Sequence, residues 1–427
     1  MPAAKQVTRP AAWVPSLYFA EGLPFVAVMT VSVILYKRLD ISNADIAFYT
    51  SWLYLPWIIK PFWSPVVALL KTRRFWIIAM QLLVGAGFAT VALTIPGENF
   101  FRYSLAAFWI VAFSSATHDI AADGFYILGL SEHDQAWFVG IRTTFYRLAM
   151  ITGQGLLVMV AGFLESRTND VNLSWSVVFY LLAGLFVILF AYHRHILPKP
   201  QSDTTRQIHS LSAFAKGIVE TFVTFFRKKY IARILAFLLL YRFAEAQLAK
   251  LAAPFLLDER PTGGLGLSTS IVGLTYGTVG LLLLTIGGIL GGFLAARHGL
   301  KRWLWWMVTA INLPNAVYVL FAYTQPESLL LINLGVGIEQ FGYGLGFTAY
   351  TVFMLYVSRG AHSTAHFAIC TGFMALGMMI PGMFSGWLQE ILGYQRFFVW
   401  VLFATIPSFA VVALLPLHVE FGKKQSH

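Results

Sequence analysis

The sequence predicts an all-α polytopic membrane protein, with twelve transmembrane helices arranged as two six-helix halves. Three observations carry that expectation. Hydrophobic residues make up 58% of the 427 and charged residues only 11%, whereas a soluble globular chain carries about 25% charged residues. Apolar runs of about 20 residues, enough to cross a bilayer, recur throughout the chain. One long polar connection, residues 197–230, divides those runs six and six.

The first span is expected over 12–36. Lys5 and Arg9 precede it, but no small-residue cleavage site follows a short apolar core, so it reads as a retained span and not a signal peptide. Spans at 45–70, 74–95, 103–130, 136–163 and 174–196 complete an N-terminal bundle of residues 1–196. The linker 197–230 holds an apolar stripe at helical spacing (Leu211, Phe214, Ile218, Phe222, Phe225), expected to lie along the membrane surface. Spans at 231–257, 269–296, 302–323, 328–357, 363–389 and 396–418 form a C-terminal bundle of residues 231–427. Spans of 25 residues or more exceed the bilayer thickness, which implies tilt or projecting ends. Pro24, Pro61, Pro65 and Pro381 are expected kinks. Gly153, Gly155, Gly287, Gly288, Gly291, Gly292, Gly372, Gly377, Gly382 and Gly386 are expected to let helices approach closely.

The net charge of +11 does not indicate nucleic acid, because the basic residues concentrate in alternate connections. Lys71, Arg73 and Arg74, the 194–233 stretch, Arg297, Lys301 and Arg302, and Lys423 and Lys424 all fall on one side. That asymmetry is the positive-inside pattern and places both termini in the cytoplasm. One cysteine, Cys370, excludes an internal disulfide. No metal-ligand spacing occurs, and no G-x4-G-K-[ST] loop supports ATP-driven transport. No cofactor is expected, and the protein is expected to be monomeric.

Ten charged residues lie deep in the expected spans: Glu21, Lys60, Asp119, Asp123, Arg142, Arg147, Arg242, Glu245, Lys250 and Glu339. Ionised side chains at membrane depth are costly and mark functional sites. Asp119 and Asp123, at i and i+4, share a helix face. Folding the fourth and fifth spans about His133 sets Asp119 level with Arg147 and Asp123 nearly level with Arg142. The same construction sets Glu21 level with Lys60. Burial disfavours an ionised carboxylate and a nearby guanidinium favours it, so opening an ion pair can move a proton. Asp119 and Asp123 are the expected proton carriers, with Glu21 and Glu245 in the equivalent position of each half. Arg142 and Arg147 suit an anionic substrate group, which guanidinium recognises bidentately. Lys60, Arg242, Glu339, Tyr146, Tyr241 and His118 complete the expected substrate cavity. Tyr18, Tyr54, Trp57, Tyr343 and Tyr350 are further aromatic candidates for stacking on sugar rings. His118 and Asp123 also spell H-x4-D, a spacing used by some lipid acyltransferases, although here it lies mid-helix. Ligand binding without flux, as in a sensor, is a third reading, and no polar receptor domain supports it.

The halves repeat weakly. Tyr18-Phe19-Ala20-Glu21 corresponds to Arg242-Phe243-Ala244-Glu245, and the helix start Ile41-Ser42 to Leu267-Ser268. Pseudo-symmetric halves with a site between them are a transporter solution to alternating access. Gly292 through Arg302 reads G-x-x-x-A-R-x-G-x-K-R, close to a turn of the major facilitator superfamily, with Ala296 and, in the first half, Ala68 in place of the usual acid. Glu21-Gly22-Leu23-Pro24, Lys60-Pro61-Phe62-Trp63-Ser64-Pro65, Asp119-Ile120 with Asp123, Tyr146-Arg147-Leu148, Tyr241-Arg242 with Glu245, Glu339, Ser363 through Ala368, and Gly386-Trp387 follow in order. Together they resemble the AmpG-type anhydromuropeptide permeases, in the peptide/acetyl-coenzyme A branch of that superfamily. The resemblance implies proton-driven import of anhydro-N-acetylmuramic acid saccharides and their peptides across a bacterial inner membrane for peptidoglycan recycling, feeding β-lactamase induction in several Gram-negative bacteria. Relatives in the branch carry siderophores or acetyl-coenzyme A, which leaves a siderophore or other amphiphilic solute as the alternative cargo. His118 stands where that family commonly has Gln.

Overall fold

The computed structural model describes residues 10–200, 203, 211–360 and 362–415, leaving aside the side chains at 65, 66, 68, 69, 132, 136, 211–218 and 364. Lys5, Arg9, Arg206, Ser210, Lys423, Lys424 and the far end of the expected last span lie outside the described residues, as does part of the linker.

The described chain is helical, with no strand. The helices are α1 (Pro10–Val26), α2 (Ser32–Arg38), α3 (Asn43–Trp52), α4 (Leu55–Leu70), α5 (Arg73–Thr94), α6 (Phe100–Gly129), α7 (Glu132–Met150), α8 (Val158–Thr168) and α9 (Val171–Ile196). The linker contributes α10 (Leu211–Phe226). There follow α11 (Ile231–Leu240), α12 (Phe243–Leu257), α13 (Thr269–Val272), α14 (Leu281–His298), α15 (Leu300–Asn312), α16 (Ala316–Thr324), α17 (Leu329–Ser358), α18 (Ser363–Phe403) and α19 (Ile406–Ala413).

Helix starts follow local chemistry. Ser42 accepts from the Asp45 amide (3.0 Å), Ser131 from Asp134 (3.1 Å), Asp170 from Leu173 (3.0 Å) and Ser268 from Ile271 (3.4 Å), each serving an amide with no partner inside the helix. Ser42 and Ser268 are the two helix starts matched between the halves on the sequence. Gly299, at φ 85°, turns α14 into α15 in a conformation open to glycine and strained for other residues.

Among the described residues, eight helical stretches are long and apolar enough to cross a membrane: Pro10–Arg38, Arg73–Thr94, Phe100–Gly129, His133–Thr168, Val171–Ile196, Thr269–His298, Leu300–Thr324 and Ala365–Ala413. The expected spans 45–70 and 231–257 are instead each interrupted, between α3 and α4 and between α11 and α12. The last two expected spans fall together in the 49-residue Ala365–Ala413 stretch, where Gly393 leaves helical geometry (φ 70°, ψ 164°). The expected 328–357 span is the single helix α17, which carries Glu339, Gln340 and several glycines.

Three wide π turns interrupt otherwise regular helices: Ala27–Val31 shortly after Pro24, Ile151–Leu157 between α7 and α8, and Gly273–Gly280 between α13 and α14. The last two cross each other. A Cβ on Gly277 would collide with the Gln154 carbonyl, so glycine there lets the backbones touch. Gly292, by contrast, has nothing within 4 Å of such a Cβ, so its expected role in helix approach does not hold.

Contacts between the helices before residue 197 and those after 230 concentrate at one end, that of the 39–42, 169–170 and 258–268 connections. Lys37 pairs with Asp258 at 2.5 Å and donates to Asn43 Oδ1 at 3.0 Å. The Asn43 amide reaches Gln389 Oε1 (2.7 Å), Tyr394 Oη (2.9 Å) and Asp258 Oδ2 (3.3 Å), and the Tyr394 hydroxyl donates to Asp258 Oδ2 at 2.6 Å. Glu165 receives Thr269 Oγ1 at 2.7 Å and Arg38 Nε at 3.3 Å. At the other end, among the described residues, no hydrogen bond or ion pair joins α7 to α14. The end that carries the 258–268 connection is shut, and the charged and hydrogen-bonded contacts between the two sets of helices gather there.

Candidate functional site

The charges meet inside the bundle, below the shut end. Tyr18 and Glu21 share a face of α1, and Asp119 and Asp123 share one of α6. Glycine at position 22 lets α7 press onto α1, since a Cβ there would meet the Tyr146 carbonyl oxygen and Ala149 Cβ at 3.0 Å. One carboxylate oxygen from each of Glu21, Asp119 and Asp123 lies within 4.8 Å of the others. Lys60 of α4 forms an ion pair with Asp119, and Arg142 of α7 pairs with Asp123 at 3.2 Å. Tyr18 donates its hydroxyl to Asp123 Oδ1 at 3.2 Å, and the Arg142 guanidinium lies over the Tyr18 and Tyr126 rings at 4.5 and 5.1 Å. The four paired side chains keep 19–43% of their surface, so they are not sealed in a core.

Geometrically, Glu21, Asp119 and Asp123 can present three oxygens to a cation. Chemically they are already matched, since an ammonium and a guanidinium sit on two of them, and an added metal ion would meet both positive charges at contact distance.

The short turn at 130–131 reverses the chain between α6 and α7; α7 packs on α1 and not along α6, yet Asp123 meets Arg142 as its spacing predicts. The partner expected for Asp119 differs. Its ion pair is with Lys60, because α4 also packs on α6, while Arg147 makes no ion pair among the described residues. Arg147 instead stands within electrostatic range of Tyr146 and of Tyr343 on α17. The expected common depth of Glu21 and Lys60 brings both beside Asp119.

A second group sits on the C-terminal side. Arg242 occupies the break between α11 and α12, donates to the Tyr343 hydroxyl at 2.5 Å and lies 4.9 Å from the Phe347 ring centre. Glu245 and Glu339 are buried close enough to interact, and Glu339 accepts from Gln340 Nε2 at 2.9 Å. Lys250, also buried, donates to Thr50 Oγ1 at 2.8 Å and lies 5.5 Å from the Tyr54 ring centre. Oε2 of Glu21, Oε2 of Glu245 and Nε of Arg242 are buried without a hydrogen-bond partner among the described residues.

Two expected cavity residues are used elsewhere. His118 is 1% exposed on another face of α6, its Nε2 3.0 Å from the Gln81 amide nitrogen. Gln81 in turn contacts His193 Nδ1 through both its side-chain atoms (2.8 and 3.0 Å), and His193 Nε2 meets Ser16 Oγ at 2.9 Å. One residue of helix is a rotation of about 100°, which turns His118 away from the site that Asp119 enters. Tyr241 is fully buried and donates to the Gly346 carbonyl at 3.0 Å, while Tyr350 ties to the Leu238 carbonyl at 2.6 Å. Both tyrosines join helices and do not line the interior.

Tyr126, Phe347 and Thr50 were not picked out by sequence. Phe347 continues the i, i+4 row Glu339–Tyr343–Phe347 on α17, a legible signal, whereas Tyr126 and Thr50 reach their cations only through helix packing.

The sequence profile of the Major Facilitator Superfamily matches residues 16–366. The chain is 26% identical over 415 residues to the anhydromuropeptide permease of Escherichia coli K12, covering 95% of this chain and 80% of that one. In three dimensions it resembles a D-xylose-proton symporter (TM-score 0.72, 13% identity, 97% of this chain and 99% of that one). It also resembles the nucleoside transporter NupG (TM-score 0.65, 16% identity, 95% of this chain and 98% of that one). Profile, relative and fold agree, and an acyltransferase built on the packed His118 has no place among them. The chain belongs to the Major Facilitator Superfamily and is a multi-pass membrane transporter.

Proposed function

We propose that this protein is a proton-coupled importer of anhydromuropeptides or anhydro-N-acetylmuramic acid saccharides, with Asp119 and Asp123 carrying the coupled protons. One observation carries the coupling: three carboxylates converge within 4.8 Å and face two cations in an accessible interior. With all three acids ionised the cluster holds one negative charge in excess, and a single bound proton removes it. A proton arriving on Asp119 or Asp123 releases Lys60 or Arg142, which changes what α4 and α7 are bound to. Glu21, whose Oε2 has no partner among the described residues, is the adjacent relay, and Glu245 is its counterpart on the C-terminal side.

The cargo is the part that rests on likeness. The permease of E. coli K12 is an anhydromuropeptide permease by name, and the ordered motifs noted above follow the same family. An amino sugar with an acidic side chain suits an interior lined by Tyr146, Tyr343, Arg147 and Arg242. A siderophore or another amphiphilic solute is the alternative. With the basic connections in the cytoplasm, the shut end faces outward. The twelve spans, the halves 1–196 and 231–427 about the 197–230 linker, and a monomeric inner-membrane protein with cytoplasmic termini complete the reading.

Uptake of labelled anhydro-N-acetylmuramic acid disaccharide into proteoliposomes, with and without an inward proton gradient, tests both parts. Wild-type uptake is expected to follow the gradient and Asp119→Asn uptake to ignore it. Uptake in wild type without gradient dependence removes the coupling; no uptake by folded protein removes the cargo.

A further inference from the structure

Five acids and five bases lie inside the bundle, yet among the described residues only two pairs of them close within 4.0 Å: Lys60–Asp119 and Arg142–Asp123. Arg142, the arginine expected to receive the substrate, is therefore already occupied: it holds Asp123 and lies over two tyrosine rings. Among the described residues Arg147 and Arg242 have no carboxylate within that distance. They come from opposite sides of the chain's midpoint, one from α7 and one from the α11–α12 break. Both act on the same side chain, Tyr343, which Arg242 touches at 2.5 Å and Arg147 approaches electrostatically.

Arg242 carries the independent signal. It is 7% exposed, and its Nε has no hydrogen-bond partner among the described residues. A buried guanidinium donor left unused costs free energy that a charged acceptor would recover. Its other neighbours do not supply that acceptor. Glu245 is three residues on and outside ion-pair distance, Tyr54 and Tyr350 act only at longer range, and Phe347 offers a ring face. Arg147, half-buried on α7, is the cation from the other side of the chain's midpoint that lies within electrostatic range of the same tyrosine.

We infer that Arg147 and Arg242 together take a carboxylate of the substrate, with the Tyr343 hydroxyl beside them, so that one anionic group bridges the two sides of the transporter. The inference rests on the importer reading for its cargo, but the bridge is a property of the two arginines. A bidentate carboxylate has lone pairs for both guanidiniums, and binding it pulls α7 toward α12 and α17. Substrate carboxylate then draws the two sides together, whereas a neutral sugar binds without doing so.

The experiment uses the full chain in nanodiscs and has two arms. In the first, binding of labelled anhydro-N-acetylmuramic acid disaccharide is compared with its carboxamide for wild type, Arg147→Gln, Arg242→Gln and Arg147→Lys. The acid is expected to bind wild type about tenfold or more tighter than the amide. Each Gln variant should weaken the acid far more than the amide, so that the preference is lost, and Arg147→Lys should keep part of it. Equal losses for acid and amide would show a packing role and overturn the inference.

In the second arm, acetate is the probe and the rate of phenylglyoxal modification at Arg147, read by mass spectrometry, is the signal. Acetate is expected to slow that reaction in wild type and to lose this effect in Arg242→Gln. Protection independent of Arg242 refutes the bridge whatever the cargo. If wild type binds neither sugar while acetate protection depends on Arg242, the cargo reading fails and the bridge stands.

Discussion

Asp258→Asn at the shut end tests alternating access most directly. Asp258 holds Lys37 at 2.5 Å and accepts from Tyr394 at 2.6 Å and Asn43 at 3.3 Å, while Lys37 and Asn43 lie on the other side of the chain's midpoint. The amide replacement removes the ionic attraction to Lys37 and leaves that ammonium with Asn43 Oδ1 alone. Breaking one side of a fully buried ion pair costs about 3–5 kcal/mol. Lys37 and Asp258 each keep 16% of their side-chain surface, so water recovers part of that cost. A loss of about 2 kcal/mol, close to one charge-assisted hydrogen bond, is the working figure. It corresponds to a shift of roughly 30-fold in the shut-to-open ratio. Spin labels on the exposed Glu98 and Glu327, at that same end, report the change by pulsed electron resonance. Wild type should show mainly the short distance, and Asp258→Asn a grown long-distance population with no loss of helix content. An unchanged distribution would mean the Lys37–Asp258 contact bears no load in closure and would refute the gate as described.

Further outcomes follow from individual contacts. Gly386→Val drives a Cβ into the Asn43 carbonyl, so α18 and α3 must part; thermal denaturation in detergent should fall by several degrees and label distances at that end should widen. His118→Ala should cost about 1–3 kcal/mol through the lost contact with buried Gln81, with gradient dependence of uptake unchanged; loss of coupling instead would restore His118 to the proton path. Tyr241→Phe removes one bond to the Gly346 carbonyl, about 1 kcal/mol, and should leave substrate affinity alone. Lys60→Met leaves Asp119 without its cation, and the pH dependence of uptake should move even where the maximal rate survives; an unmoved profile would detach Lys60 from coupling.

Local and nearest-neighbour chemistry was legible in the sequence. Hydropathy identified the membrane class, and the charges at depth stood out because the surrounding helices are so apolar. The 3.6-residue period set Asp119 and Asp123 on one face, and a short connection brought Asp123 to Arg142. Ser42 and Ser268 announced their helices through the residues that follow them. Each of these rests on interactions a few residues or one turn apart, which the order of residues specifies.

The tertiary structure decided the rest. Lys60 rather than Arg147 meets Asp119, because the packing of α4 on α6 is not encoded in either helix alone. A residue next to Asp119 in sequence, His118, points elsewhere because adjacent helix positions diverge by about 100°. Tyr241 ties helices through the Gly346 carbonyl, while Arg242, in the break between α11 and α12, is left with an unused donor. Which end is shut depends on Lys37, Asn43, Asp258, Gln389 and Tyr394, residues more than 300 positions apart at their extremes. Contacts of that separation exist only once the whole bundle has assembled. The sequence alone determined which charges lie within apolar helices; the fold determined which of them pair with one another.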